Sequence, residues 1–416
     1  MANACGVDFG TSNSTVGLIR PNRPALLPLE DGKATLPSVV FFNADDDEVT
    51  FGRAALSTYL EGHEGRLMRS MKSLLGTALI DGQTEVLGRA LPFRHLLSLY
   101  IGELKRRAES ACGHALSQAV IGRPVFFIDD DAAADTRAQQ TLESIVKESG
   151  FRDVHFQYEP IAAALNYESQ IDREEIVLVV DIGGGTSDFS VVRLAPERSQ
   201  RLDRQSDILA NGGVHIGGTD FDKYLSLATV MPLLGLGSRL RNGATIPSTG
   251  YFNLATWHTI NLLYTRKVWS ELNDLRHDVI QRPQFDAFLK LVQQRNGHWL
   301  AIQIEQGKID LSNNEVVTLA LNRLDLPKQL AITQSTLQHA TAHLHNTIAQ
   351  TVSNMLADAD IKTASIDTVF FTGGASGIGG LRQHICTLVP NARHIEGDLF
   401  GSIGTGLALE AQRRFK

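Results

Sequence analysis

Val7-Asp8-Phe9-Gly10-Thr11-Ser12-Asn13 near the start of the chain has a counterpart in its middle, Val180-Asp181-Ile182-Gly183-Gly184-Gly185-Thr186-Ser187-Asp188. In each, an apolar strand ends in aspartate, turns through small residues and feeds a returning strand. Cys5–Phe9 with Thr15–Ile19 reads as one hairpin, and Ile176–Val180 with Val191–Arg193 as the other. Ile176–Val180 is almost purely apolar, as suits a central strand covered on both faces. A repeated strand-turn-strand unit points to a duplicated fold core.

Outward from these hairpins, strands and helices alternate, which predicts an α/β class. Ser38–Phe42 is a further short strand. Leu96–Cys112 carries Leu96, Leu97, Leu99, Tyr100, Leu104 and Ala108 at helical spacing. Ala119–Gly122 leads into an apolar Val125–Ile128. Thr136–Ser149 is a helix ended by Gly150, and Pro160 opens another over Ile161–Glu168. Helices over Leu300–Ile309 and Leu337–Ala357, a strand at Thr368–Thr372 and a closing helix through Gly404–Phe415 complete the pattern. Met231–Gly297 stands apart as an inserted helical stretch. Its aromatics Tyr251, Phe252, Trp257, Tyr264 and Trp269 are expected to be core.

The chain has 416 residues, 43% of them apolar and 20% charged, enough for two or more folded cores. A net charge of −7 argues against a general nucleic-acid or anionic-membrane binder. Cys5, Cys112 and Cys386 are far apart and form no CxxC, so reduced thiols are expected rather than a zinc site. No signal peptide and no membrane-spanning run is read, and a cytoplasmic location follows as the expectation.

The two hairpin turns also carry the chemistry. Glycines let backbone approach a phosphate closely, and backbone N–H groups with hydroxyls can cradle its oxygens. An aspartate at that point repels phosphate unless a cation lies between them. Asp8 and Asp181 therefore imply Mg²⁺, held through water. Turn-capping aspartates in two ordinary hairpins are the plainer alternative. No GxxxxGK[ST] and no strand-GxGxxG-helix occurs, so neither a P-loop nor a dinucleotide fold is read.

Six motifs in order give a more specific resemblance. Gly6 through Ser14 resembles the first phosphate loop of the actin, hexokinase and heat-shock ATPase superfamily, and Asp181–Asp188 its second. Glu159-Pro160-Ile161-Ala162-Ala163-Ala164 is similar to a motif of the DnaK-type, seventy-kilodalton heat-shock family. Gly217-Gly218-Thr219-Asp220, Glu305-Gln306-Gly307-Lys308 with Ser312, and Phe371-Thr372-Gly373-Gly374 resemble that family's lobe-two helix start, adenosine helix and nucleotide-closing turn.

The resemblance implies a two-lobed actin-like ATPase fold, a ribonuclease-H-like core repeated, with ATP or ADP and Mg²⁺ in the cleft between lobes. It implies slow hydrolysis. Lobe one would take residues 1–171 and the C-terminal helix at 391–416. Lobe two would take 172–390, with the insert at about 231–297. Asp8 and Asp181 would organise the metal. Gly10, Thr11, Ser12, Asn13, Gly183, Gly184, Gly185 and Thr186 would line the phosphates. Lys72 would touch the γ-phosphate and Glu159 would orient water. Gly217, Gly218, Glu305, Lys308, Ser312, Gly373 and Gly374 would hold the rest of the nucleotide.

Each assignment has a plainer alternative: a solvated lysine for Lys72, a helix-start carboxylate for Glu159, a solvated face for Glu305, Lys308 and Ser312. Two departures stand out. Ile309 and Gly377 lie where the family stacks arginines on adenine, a loss of ~0.5–2 kcal/mol each. The arginine answering the lobe-coupling Pro124 is replaced by Gln139, unless Arg137 serves. With no peptide-binding domain expected after Leu407–Lys416, an unidentified protein partner or co-chaperone would sense the ATP cycle. A filament-forming actin-like protein and a small-molecule kinase remain as other classes.

Overall fold

In the computed structural model, residues 3–128, 131–324, 328–398 and 401–415 are described. Two five-stranded mixed sheets dominate, and they have one topology. The first holds β1 (Ala4–Phe9), β2 (Asn13–Gly17), β3 (Thr35–Pro37), β4 (Gln118–Arg123) and β5 (Asp153–Tyr158), in the order β5-β4-β1-β2-β3. The second holds β6 (Glu175–Ile182), β7 (Ser187–Leu194), β8 (Ile208–Val214), β9 (Thr368–Thr372) and β10 (Arg393–Glu396), in the order β10-β9-β6-β7-β8. In both, the first strand pairs antiparallel with the second and parallel with the fourth, and the fourth parallel with the fifth. The duplicated hairpin thus marks a duplicated sheet, the actin-like ATPase fold.

The sheets are central because their inner strands are apolar on both faces. β6 buries Val177, Leu178, Val179 and Val180 completely or nearly so. On one face of the first sheet lie α1 (Phe93–Cys112) and α2 (Ala132–Glu148). The inner stripe of α1 is Leu96, Leu97, Tyr100, Ile101, Leu104 and Ala108, and that of α2 includes Ala138, Leu142 and Ile145. Gly150, at φ +97°, takes the left-handed turn that stops the chain from continuing α2.

The other face is covered by α3 (Glu159–Glu168) and the C-terminal helix. Contact there is so close that only glycine fits. A Cβ on Gly6 would lie 2.3 Å from backbone of Leu407 and Ala408, and one on Gly406 would lie 1.8 Å from the Ala162 carbonyl oxygen.

β4 ends at Arg123 and the apolar Val125–Ile128 beyond it forms no strand, because Pro124 has no N–H to continue a ladder. Instead the Arg123 guanidinium donates to the carbonyls of Pro124 and Val125, both at 3.0 Å. The C-terminal segment 391–416 is not one helix. It contains β10 and a helix over Ser402–Arg414, while residues 399, 400 and 416 lie outside the described ones.

The chain divides into two compact units. One comprises Met1–Val214, Thr351–Ser376 and Ile385–Lys416, and holds both sheets. The other comprises His215–Gln350 and Gly377–His384. Of the expected lobe boundaries, residue 171 falls between the last strand of the first sheet and the first strand of the second, whereas 391 would assign β10 of the second sheet to lobe one; neither is a boundary of these units.

The second unit contains α4 (Gly218–Leu233), α5 (Gly297–Leu311) and the hairpin Val316–Ala320 with Gln329–Thr333. Between α4 and α5 the insert forms helices at Thr249–Ala255, Arg266–Leu275 and Arg282–Gln293, with a 3₁₀ stretch at Trp257–Tyr264. Its core is aromatic but differs in part from expectation. Tyr251 stacks on Phe288 at 4.7 Å, with Phe285 beside it, whereas Phe252 is exposed. The three cysteines are free thiols.

Candidate functional site

Five side chains distant in sequence converge in the first unit. Asp8 sits near the end of β1, opposite Thr15. Asp181 sits near the end of β6, opposite Asp188 of β7 and beside Thr372 of β9. Lys72 lies on the 3₁₀ turn Met71–Leu74 and Glu159 on the first turn of α3, just before Pro160. Lys72 Nζ donates to Glu159 Oε1 at 2.7 Å, with the two side chains 13% and 14% exposed. Lys72 is therefore not a solvated lysine, and Glu159 is more than a helix-start carboxylate.

The electrostatics follow from this crowding. Burial and then the charge of Glu159 push the Asp8 carboxyl up to about 7, against the pull of Lys72. Burial, then Asp188, Glu159 and Asp8, hold Asp181 well above the usual carboxylate range. Burial alone would lower the Lys72 ammonium, but Glu159 and Asp8 outweigh it and keep it above its ordinary value. Four carboxylates around one ammonium leave a surplus of negative charge, a setting that favours a cation. Among the described residues no three His, Cys, Asp or Glu side chains lie close enough to chelate a metal directly. An ion held through its own waters, as magnesium prefers, is the kind that fits.

Both turns are tightly built. In the first, a Cβ on Gly10 would lie 2.2 Å from the Asn13 carbonyl oxygen. Ser38 fixes this turn from outside: its Oγ donates to the Gly10 carbonyl at 2.7 Å and its N–H to the Ser12 carbonyl at 2.9 Å. In the second, Gly183 N–H donates to the Thr186 carbonyl at 2.9 Å, and Thr186 Oγ1 to Asp188 Oδ2 at 3.0 Å. The turns approach each other, for a Cβ on Gly184 would lie 1.9 Å from Ser12 Oγ. Thr11, Ser12 and Asn13 are half-buried beside them. Gly373, at φ +81°, presses on Asp181: a Cβ there would be 2.3 Å from its Oδ1. Gly374 follows it, and Ser376 Oγ donates to the Gly373 carbonyl at 2.7 Å.

The remaining expected contacts lie in the second unit. Gly217 caps α4, its N–H donating to Asp220 Oδ2 at 3.0 Å. Lys308 is buried; its Nζ donates to the Gly218 carbonyl at 2.9 Å and pairs with Asp222 at 2.8 Å. Glu305 is half-buried one turn earlier on α5, and Ser312 caps that helix in an exposed position. Ile309 is 48% exposed. The spacing did place Lys308 and Glu305 on α5, but not the Lys308–Asp222 pair.

Ser38 and Arg123 were not picked out from sequence. Ser38 carries no signal of its own. Asp188 was visible as part of the repeat, yet only the register puts it across from Asp181. Arg123 stands directly before Pro124 and donates to its carbonyl. It binds Asp135 at 2.8 Å, bonds the side chain of Gln139 and stacks over Phe127 and Tyr158. A cavity of about 320 Å³ opens beside it, lined also by Glu143 and Gln157.

The family model described as "Hsp70 protein" matches residues 4–230, more than half the chain. The chain belongs to the Hsp70 family. It is 26% identical to the chaperone protein DnaK of Mesomycoplasma hyopneumoniae strain J over 412 residues, 97% of this chain and 57% of that protein. The DnaK of Ureaplasma urealyticum serovar 10 is 33% identical over 226 residues, 53% of this chain and 34% of that one. This Hsp70-family chain thus spans just over half the length of the DnaK proteins it matches along its whole extent. It has the family's ATPase-domain fold, and none of its described helices is long and apolar enough to cross a membrane.

Proposed function

We propose that the chain binds ATP with Mg²⁺ and hydrolyses it slowly, in a chaperone-type cycle read by a protein partner. The observation that carries this is the meeting of Lys72 and Glu159 at 2.7 Å beside Asp8 and Asp181, between two glycine turns. Asp8 and Asp181 would hold the hydrated magnesium, which on binding neutralises the phosphates and screens the carboxylates from one another. Backbone N–H groups of Gly184, Gly185 and Thr186, with the Thr11, Ser12 and Asn13 side chains, would orient phosphate oxygens. Lys72 would leave Glu159 for the γ-phosphate, and the released Glu159 carboxylate would orient a water or take its proton. Such hydrolysis rests on positioning and charge rather than covalent chemistry.

The adenosine contacts of Gly217, Gly218, Glu305, Lys308 and Ser312, with Gly373 and Gly374 closing on the nucleotide, belong to the same proposal. Asp188 accepts a hydrogen bond from Thr186, which supports a place in the phosphate turn. The lobe boundaries at 171 and 391 and the cytoplasmic location are likewise proposed.

Isothermal titration with ATP and ADP, each with and without Mg²⁺, tests this reading. One site, tightened by the metal, is expected. No binding under any of the four conditions would sink it. Ile309 is exposed, so an arginine can be accommodated there; Ile309→Arg should tighten ATP binding about tenfold, ~1.4 kcal/mol. An unchanged affinity would mean adenine is held in another way.

A further inference from the structure

The insert differs in charge from the rest of the chain. Between residues 234 and 296 eight Lys/Arg stand against four Asp/Glu, within a protein of net charge −7. Part of that positive charge is gathered on one small platform. Residues 238–246 double back, with Leu240 N–H donating to the Ala244 carbonyl at 2.8 Å and Ile246 N–H to the Ser238 carbonyl at 2.9 Å. This loop is clamped to the segment before the helix Arg282–Gln293. Arg241 N–H donates to the Asp278 carbonyl at 2.8 Å, Ile280 N–H to the Arg239 carbonyl at 2.9 Å, and Leu240 bridges Val279 in antiparallel register.

That register sorts the side chains. Leu240 and Val279 point inward and are buried. Their neighbours Arg239, Arg241, Asp278 and Ile280 therefore fall on the outward face. All four are exposed, Ile280 at 58%. Arg282 is exposed just beyond. Arg239 Nη1 donates to the Gly243 carbonyl at 3.0 Å and Arg282 Nη2 to the His277 carbonyl at 3.3 Å; among the described residues none of the three arginines lies within ion-pair distance of a carboxylate, although Arg282 acts electrostatically on Asp286.

We infer that this face, Arg239, Arg241 and Arg282 around Ile280, docks an acidic segment of a partner protein that offers an apolar side chain to Ile280. Three observations select that occupant. Backbone hydrogen bonds hold the platform in place, so little order is lost on binding. Arginine beside an exposed aliphatic residue is the composition of interface centres, not of a solvated face. The chain outside the insert is net acidic, so an acidic partner is disfavoured there and steered here. A polyanion such as nucleic acid fits less well: Asp278 lies within the face, Ile280 occupies its middle, and the net charge opposes approach. The inference rests on the reading that the ATP cycle is sensed by a protein, and it gives that partner's chemistry.

The probe is a fluorescein-labelled glutamate-rich peptide with one central leucine, measured by anisotropy on the full chain with and without Mg·ATP. ATP turnover is followed in parallel, so that failure of the ATPase reading and failure of this one are seen separately. We expect micromolar-range binding that weakens with added salt. Arg239→Glu/Arg241→Glu/Arg282→Glu should weaken it at least about tenfold, and Ile280→Ser severalfold, with turnover and thermal midpoint unchanged since all four side chains are exposed. Three results would overturn the inference: no peptide binding by the wild type, equal binding by the charge-reversed variant, or a duplex oligonucleotide that outcompetes the peptide at the same face.

Discussion

The two core sheets share one topology, yet the aspartates near the ends of their first strands live in different company. Asp8 faces Thr15 and shares its surroundings with the Lys72–Glu159 pair. Asp181 faces another carboxylate, Asp188, and has Gly373 packed on its oxygen. Asp8 thus has the Lys72–Glu159 ion pair as its main neighbour, while Asp181 has a further carboxylate directly opposite it in the sheet. The two frames are alike, and the residues around each aspartate differ.

If both aspartates serve one hydrated magnesium, Asp8→Asn and Asp181→Asn should each cut ATP turnover by about 10²–10³-fold, as loss of a group that acts on developing charge does. The folded state should survive, because each change removes repulsion. Turnover rates of the purified variants decide it, and wild-type rates in both would break the shared-site reading. A large loss in only one would show that the two frames are not equivalent.

Lys72→Ala and Glu159→Gln probe what belongs to the first frame alone. Each should lower the rate constant by roughly a hundredfold while changing ATP affinity less, the pattern of interactions made in the transition state. Single-turnover rates set beside titration affinities give the split. Equal losses in both quantities would mean the pair only binds ground state.

The turn glycines sharpen the comparison further. Gly10 is structural: its Cβ would strike Asn13 backbone at 2.2 Å. Gly185 meets nothing within 4 Å, so its smallness serves whatever approaches from outside. Gly10→Ala should cost ~1–3 kcal/mol of stability in denaturant titration. Gly185→Ala should leave stability alone and weaken ATP about tenfold, which calorimetry measures. The reverse pattern would exchange the roles of the two turns.

Much of this was legible in sequence. The strand-Asp-turn repeat located both hairpins, and the apolar run of β6 announced a central strand. Glu159-Pro160 marked the start of α3. What escaped depends on side-chain direction or on distant chain. Ser38 supports the first turn from across the sheet. Arg123 curls back on the carbonyls after its own proline. Lys308 turns to Asp222, although its helical spacing with Glu305 and Ser312 suited an outward face just as well. Periodicity says which residues share a helix face; it does not say what a long cationic stem reaches for.

The smallest expected effect concerns protons. The Asp8 carboxyl is held at about 7 against an ordinary 3.8, so the folded chain grips this proton more tightly than the unfolded one. Stability from this group is fullest below the unfolded value and is lost as pH rises through the folded one. Asp8→Asn replaces the ionisable group with a permanently neutral one. Near pH 4 wild type and variant carry the same charge at this position and should melt together. Between about pH 4 and 7 their thermal midpoints should separate, and by pH 8 the variant should melt higher by about 2–4 °C per kcal/mol of repulsion removed. Mg²⁺ with ATP supplies positive charge that offsets the same repulsion, so saturating both should shrink the gap. Melting curves of the two proteins across this range, with and without Mg·ATP, read the effect directly. A gap that is constant with pH would mean that Asp8 is ionised throughout, and the contrast between the two aspartates would then lie in the partners they face and not in their protons.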